Sequence, residues 1–212
     1  MLLIHLELLD KERRKTFKKL KIFRKSAVLA GGTALSLQII HRYSFDFDLF
    51  LPREIERKDF LRLKETFKIK DVGINTKNQL TVITDRNIGI TLVHYDYNPL
   101  FQKVITPFLP LYSVKDIAAD KAFTIGRRAV WRDYVDLFFI FKKRHINISD
   151  LLKLSQKKFK VEFNPKLFLE QLVYFEDIEV TKMVFVKEKY SPTEIQKFLK
   201  GEVLKYTRQK LF

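Results

Sequence analysis

The chain of 212 residues contains no cysteine, which excludes disulfides, thiolate metal sites and cysteine nucleophiles. Glycine and proline are scarce, at six each, which argues against long flexible linkers. Long apolar runs are missing too: the longest, Leu137–Phe141 ("LFFIF"), is far too short to span a bilayer. The opening "MLLIHLELLD" meets a charge run before an apolar stretch can form, so no secretory leader is expected. These absences together point to a cytoplasmic protein without a membrane partner.

What is abundant is phenylalanine and positive charge. Twenty Phe in a chain long enough to bury a real core argue for a packed interior rather than disorder. Lys and Arg number 41 against 25 Asp and Glu, a formal net charge of +16, which favours a polyanionic partner, nucleic acid first. Basic stretches such as "KERRKTFKKLKIFRK", "FKKRH" and "KKFK" interleave lysine with aromatics, a pattern suited to phosphate contact and base stacking. Most of these lysines equally fit the outer faces of amphipathic helices.

Periodicity divides the chain. An amphipathic helix is expected near the start, burying Leu9, Phe17, Leu20 and Phe23. Ser26–Ala30 reads as a short strand running into Gly31-Gly32. A helix follows with Thr33 as its cap, and then a strand over Phe45–Leu51 that Pro52 ends. Another helix is expected over Glu54–Phe67, burying Phe60, Leu63 and Phe67. Three strands lie between Lys68 and Tyr97, and helices fill the chain beyond Ser113. Residues 1–110 are therefore expected to form an α/β domain and residues 111–212 a helical one.

The strand "FDFDLFL" sets two carboxylates on one face, because alternate side chains share a face. Asp46 and Asp48 would lie roughly 6.5–7 Å apart at Cα, with Phe45, Phe47, Leu49 and Leu51 in the core. Adjacent carboxylates repel, and a hard cation makes them tolerable: Mg2+ (Mn2+ as an alternative) takes oxygen ligands at about 2.0–2.1 Å and fills its shell with substrate phosphates. A solvated strand face is the bland account. The preceding Gly31-Gly32-Thr33 raises the odds of a site, because a strand, two glycines and a helix N-terminus bring main-chain N–H groups close to a phosphate. A plain tight turn competes.

Downstream, Lys121 and Arg128 are seven residues apart and so lie nearly above one another on one helix face, with Thr124 between, where they could clamp a triphosphate. A solvated basic face explains them equally. Arg132 and Asp136 have the spacing of a local ion pair.

"GGTALSLQIIHRYSFDFDLF" resembles the first motif of the AbiEii-type nucleotidyltransferases, toxins of type IV toxin–antitoxin systems within the polymerase-β-like superfamily. A second block, Asp116-Ile117-Ala118-Ala119 with Lys121, Arg128, Arg132, Asp133, Asp136 and Leu137, resembles that family in order. The likeness spans about Ala27 to Phe141. It implies an α+β fold: a polymerase-β-like core with a small mixed sheet, followed by a helical bundle. It implies Asp46 and Asp48 as catalytic metal ligands, and Gly31, Gly32, Thr33, Arg42, Ser44, Lys121 and Arg128 at the nucleotide. Asp133 or Asp136 would orient Lys121 or the acceptor. His41 and Arg42 would meet phosphate or the carboxylates. Asp96 is the candidate third carboxylate, with a turn cap before Asn98-Pro99 as its competitor. The implied reaction transfers a nucleoside monophosphate from a nucleoside triphosphate to a hydroxyl acceptor, RNA (a tRNA end) by charge or else a protein hydroxyl. An antitoxin is the implied partner. A non-catalytic basic RNA-binding module on the same scaffold is the alternative, and a structural partner in a larger complex the third reading.

Overall fold

The computed structural model describes residues 4–128 and 130–211. Residues 1–3 and 212, the outer ends of the two expected domains, lie outside the described residues. The chain divides into two compact units, Met1–Ser113 and Val114–Phe212.

In the first unit, Asp10 caps helix α1 (Lys11–Lys19) by accepting the Arg13 N–H at 2.8 Å. A 3-10 turn, Leu20–Phe23, continues the apolar stripe, and Leu9, Phe17, Leu20 and Phe23 are all buried. Strand β1 (Val28–Ala30) runs into α2 (Gly31–Ile39), and β2 (Phe47–Leu51) follows. After α3 (Arg57–Thr66) come β3 (Ile69–Asn75), β4 (Gln79–Thr84) and β5 (Gly89–His94). They form one mixed sheet in the order β1-β2-β5-β4-β3. Only the central β2–β5 pair is parallel. One face carries the core: Phe47, Leu49 and Leu51 on β2, Leu80 and Val82 on β4, and Ile90 and Leu92 on β5 are fully buried. Phe17 of α1 stacks on Phe47 from that side, with ring centroids 6.1 Å apart. The other face, with Asp48, Thr81 and Thr91, is half-buried.

Two sequence expectations fail here for local reasons. Phe45 is 47% exposed rather than in the core. Pairing begins only at Phe47, so the strand alternation does not reach back to Phe45, whose carbonyl accepts from Arg13 Nε at 2.9 Å instead. Phe60 is half-buried, with Lys64 Nζ 5.4 Å from its ring centroid, while Leu63 and Phe67 carry the α3 stripe.

The second unit is helical: α4 (Val114–Ile125), α5 (Trp131–Lys142), α6 (Ile148–Phe159), α7 (Pro165–Val173) and α8 (Pro192–Leu211). Asn147 and Asn164 cap α6 and α7 with their side chains. Ser191 and Glu194 form a capping box at α8: Glu194 Oε2 accepts from Ser191 N at 2.7 Å and Glu194 N donates to Ser191 Oγ at 3.3 Å. Helix α5 is buried on nearly every side, its aromatic and aliphatic residues together with Asp133 and Asp136. Phe123 of α4 stacks on Phe159 of α6 at 4.0 Å. Among the described residues no helix is long and apolar enough to cross a membrane.

Candidate active site

The site of the first unit is built on one sharp junction. Strand β1 ends at Ala30 and α2 begins at once with Gly31, whose φ of +66 is a left-handed conformation that costs a residue with a Cβ about 1–2 kcal/mol. No side chain caps this helix. Thr33, expected as the cap, sits inside the first turn instead: its hydroxyl bonds the Asp46 carbonyl and lies 2.9 Å from Ser44 Oγ. Thr33 and Ser44 thus anchor the entry to β2. The N-cap residue of α2, Ala30, has no polar side chain to offer the N–H groups of the first turn.

At its other end α2 closes with Ile40 in the left-handed region, φ 52 and ψ 53, unusual for a β-branched residue. That conformation turns the chain back, and Ser36 Oγ donates to the Arg42 carbonyl to hold the turn. His41 and Arg42 are both buried. The Arg42 guanidinium then lies over Gly32, where a Cβ would come within 2.5 Å of Arg42 Nη2 and 3.1 Å of Ser44 Oγ.

The two carboxylates have the same relation to glycines. A Cβ on Gly31 would stand 2.6 Å from Asp48 Oδ2. On the other side, the Gly89 N–H donates to Asp46 Oδ1 at 3.1 Å, and a Cβ on Gly89 would stand 2.7 Å from that oxygen. Glycines 31, 32 and 89 therefore admit Asp48, Arg42 and Asp46 respectively at distances no larger residue permits. Asp46 is exposed and Asp48 half-buried. Gly89 went unread in the sequence. Its signal was present: an isolated glycine at the start of a strand pattern marks close approach by another group.

Asp96 is not part of this constellation. Strand β5 ends at His94, which is paired with Leu51 at the far end of β2, and Asp96 lies beyond it. Its side chain is 77% exposed and pairs with His94 Nε2 at 2.7 Å. The β5 residue beside Asp48 on the open face is Thr91, so the sheet supplies two carboxylates and a hydroxyl there. Among the described residues no group of three or more His, Asp or Glu converges as a metal site. A two-carboxylate oxygen set exposed at the end of a strand nevertheless suits a hard divalent ion that takes its other ligands from phosphates and water. The space that Gly31 leaves free against Asp48 is consistent with that use.

The second unit holds its own charged cluster. Asp133 and Asp136, three residues apart on α5, share a face and both meet Lys121 of α4. Lys121 Nζ bonds Asp133 Oδ1 and lies 2.8 Å from Asp136 Oδ2, with side-chain exposures of 11, 3 and 0% for Lys121, Asp133 and Asp136. Asp136 is thus committed to Lys121, whereas Arg132, its expected i,i+4 partner, is exposed. Arg128 does not share a helix face with Lys121: α4 stops at Ile125, and Gly126–Arg128 form a turn in which the Arg128 N–H donates to the Thr124 carbonyl at 2.8 Å. A second cluster sits one turn away on α4, where Lys158 Nζ is 2.6 Å from Asp120 and 3.6 Å from Asp116. Burial, with Asp177 and Asp133 nearby, pushes the Tyr134 phenol well above its ordinary range.

Known proteins of similar sequence and fold can now be set beside this geometry. The profile of the family described as "Nucleotidyl transferase AbiEii toxin, Type IV TA system" matches residues 18–96 and 57–204. An uncharacterized protein of Aquifex aeolicus is 32% identical over 185 residues, 84% of this chain and 86% of its own. Among solved structures, a candidate nucleotidyltransferase from H. pylori superposes with a TM-score of 0.59 at 18% identity, covering 96% of this chain and 99% of that one. MenT4, a nucleotidyltransferase toxin of Mycobacterium tuberculosis, gives a TM-score of 0.60 at 16% identity over 91% of this chain and 82% of its own. At such identities the two structures speak for the fold.

Proposed function

Because the chain belongs to the AbiEii family of type IV toxin–antitoxin toxins and is a nucleotidyltransferase, we propose that it transfers a nucleoside monophosphate from a nucleoside triphosphate to a hydroxyl of RNA, a tRNA end foremost. The observation that supports this reading is the close approach that Gly31, Gly32 and Gly89 allow to Asp48, Arg42 and Asp46 respectively. Asp46 and Asp48 would hold Mg2+, with Mn2+ as a substitute. Bound there, the ion supplies Lewis-acid charge to the triphosphate oxygens.

The chain's own groups do the rest. The uncapped N-terminus of α2 presents main-chain N–H groups to phosphate, and Gly31 and Gly32 let that phosphate approach the backbone. Arg42, held over Gly32, adds a fixed positive charge at the same place. Thr33 and Ser44 keep the start of β2 in register, so that Asp46 stays against Gly89 and Asp48 against Gly31. By the likeness to the family motif, Lys121 would meet a nucleotide phosphate, and Arg128, from the turn after α4, would be a further phosphate contact. The clamp of Asp133 and Asp136 on Lys121 supports a positioning role for those two carboxylates. The acceptor oxygen attacks the α-phosphorus, the bond to the bridging oxygen breaks, and pyrophosphate departs. With Thr91, not a carboxylate, beside Asp48 on β5, the proton of the attacking hydroxyl would pass to solvent water at the exposed site.

The net charge of +16 supports RNA over a protein hydroxyl as acceptor. Family membership supports an antitoxin partner and a cytoplasmic setting. Labelled transfer tests the reading: each α-labelled triphosphate is incubated with total tRNA, magnesium and either wild type or Asp46→Asn/Asp48→Asn. Label in RNA with wild type only is the expected result. Label on protein would move the acceptor, and no transfer to either would overturn the reading.

A further inference from the structure

Two features flank Asp46 that the chemistry above does not use, and both lean on α1. The first is Phe45. It is 47% exposed although it directly precedes Asp46, and it is held in place: Arg13 Nε donates to its carbonyl at 2.9 Å, and the Arg13 guanidinium lies 4.9 Å from the ring centroid. An exposed, anchored aromatic face beside a reacting centre is a stacking platform for a base. The second is an open cavity of about 190 Å³ between α1 and the β4–β5 turn. Lys15, Lys19, Lys68 and Arg86 surround it, and Phe67 and Thr84 form its buried floor. Two carboxylates also line it, Glu12 and Asp85, and Glu12 sits 3.7 Å from Arg86. Cations therefore outnumber anions four to two among the lining residues.

The two features converge on the site. The turn that carries Asp85 and Arg86 leads within three residues to Gly89, whose N–H is 3.1 Å from Asp46 Oδ1. Residues 12 and 13 of α1 reach one feature each, Glu12 to Arg86 and Arg13 to Phe45. We propose that this corner of the first unit is the acceptor's binding track: a base of single-stranded RNA stacks on Phe45 and a backbone phosphate seats among Lys15, Lys19, Lys68 and Arg86. The assignment rests on RNA being the acceptor. An acidic peptide would match the cations but has no use for an exposed ring next to Asp46, whereas a nucleic acid strand uses both.

The test measures binding of total tRNA and of a fluorescein-labelled ten-nucleotide single-stranded RNA across a salt series. Three proteins are compared with wild type: Phe45→Ala, Lys15→Ala/Lys68→Ala/Arg86→Ala, and a charge-matched Lys153→Ala/Lys166→Ala/Lys197→Ala on exposed positions of the helical unit. Phe45→Ala is expected to weaken binding of both RNAs about 5- to 100-fold with the salt slope unchanged, and Phe45→Tyr to restore it. The cavity variant is expected to weaken binding and to flatten the slope by about 0.7 for each phosphate it no longer neutralises, well beyond the charge-matched control. Triphosphate binding should persist in all of them, which shows that they fold. Equal losses in the cavity variant and its control, or wild-type affinity in Phe45→Ala, would overturn the track and leave the RNA reading standing. Failure of wild type to bind either RNA, with triphosphate still bound, would overturn the RNA reading and the track with it.

Discussion

Two of the aspartate pairs among the described residues, one in each unit, are opposites. Asp46 and Asp48 stand at the open end of a strand, exposed and half-buried, with glycines pressed against their oxygens. Asp133 and Asp136 stand on a helix with side chains 3 and 0% exposed, and both close on Lys121. The spacing differs with the setting: Asp48 lies on β2 with Asp46 just before it, two residues away, whereas Asp133 and Asp136, three residues apart, share a helix face. What separates them is the counter-charge. The buried pair brings its own cation, because a carboxylate out of water without one is very costly. The strand pair lies at the surface, where the solvent tolerates it and a divalent ion with its phosphates can reach it. An open pair is suited to binding and a closed pair to holding.

The comparison breaks first if the open pair turns out to be structural. Asp46→Asn/Asp48→Asn should cut nucleotide transfer by at least about a thousandfold, a loss of ~4 kcal/mol of transition-state stabilisation, while the thermal midpoint stays near wild type. A lowered midpoint with transfer retained would put the two pairs in the same class.

The closed pair should behave in reverse. Lys121→Met leaves two carboxylates buried without their cation and is expected to lower stability by about 3–5 kcal/mol, read from urea unfolding. Replacing the whole cluster, as Lys121→Met/Asp133→Leu/Asp136→Leu, should recover most of that loss, since apolar groups of similar volume often substitute for a buried ion pair. Transfer should not recover with it. If it does, Lys121 serves packing alone and its assignment to phosphate falls.

Gly31→Ala sharpens the open side. The new methyl must adopt φ +66 and displace Asp48 Oδ2 from 2.6 Å, so a cost of about 2 kcal/mol in stability is expected, with transfer reduced much further. Gly73→Ala, on β3 with only Thr81 Cγ2 at 4.0 Å, is the matched control and should leave transfer intact.

How much of this was legible depended on whether neighbours in sequence decided the outcome. The strand alternation at Phe47–Leu51 and the stripes of α1 and α3 were readable because the same residues that form the element bury its face. That the Gly31-Gly32 junction lies close to Asp48 and Arg42 was legible for the same reason, since the junction and the strand lie within twenty residues. Three errors have one cause in common, a pattern extended past the end of its element. Phe45 was given the alternation of a strand that starts two residues later. Arg128 was given a helix face that stops at Ile125, and Asp96 a strand that stops at His94. Gly89 carried a local signal of close approach, but its partner Asp46, like the place of Thr91 beside Asp48, is set by the register of β5 against β2 and by no local pattern. Lys121's partners were in view as residues, but Asp136 was matched to Arg132 by spacing, and burial chose Lys121 instead.

A third kind of carboxylate tests whether burial, rather than the unit or the element, divides the pairs. Asp59 of α3 belongs to the unit with the open pair, yet its side chain is 0% exposed. Arg53 grips it with both terminal nitrogens at 2.8 Å, and the Glu56 N–H donates to it at 3.0 Å. Burial alone would raise its pKa. The Arg53 hydrogen bonds and the Glu56 N–H outweigh that and hold it below the ordinary carboxylate value. A group whose pKa is lower folded than unfolded binds fewer protons in the native state, so it adds stability above its unfolded value of about 3.9 and loses it as pH falls through the lower folded value. Asp59→Asn, which keeps an acceptor for Arg53 but removes the charge, should therefore cost only ~1 kcal/mol at pH 7. The gap to wild type should hold from pH 8 to pH 5 and narrow below about pH 4. Urea midpoints at pH 7, 5 and 3 read this directly, and transfer at pH 7 should not change. A gap that widens on acidification would mean that the Asp59 carboxyl, like an unpaired buried acid, is easier to protonate in the folded chain, and that burial with an arginine is not what closes a carboxylate here.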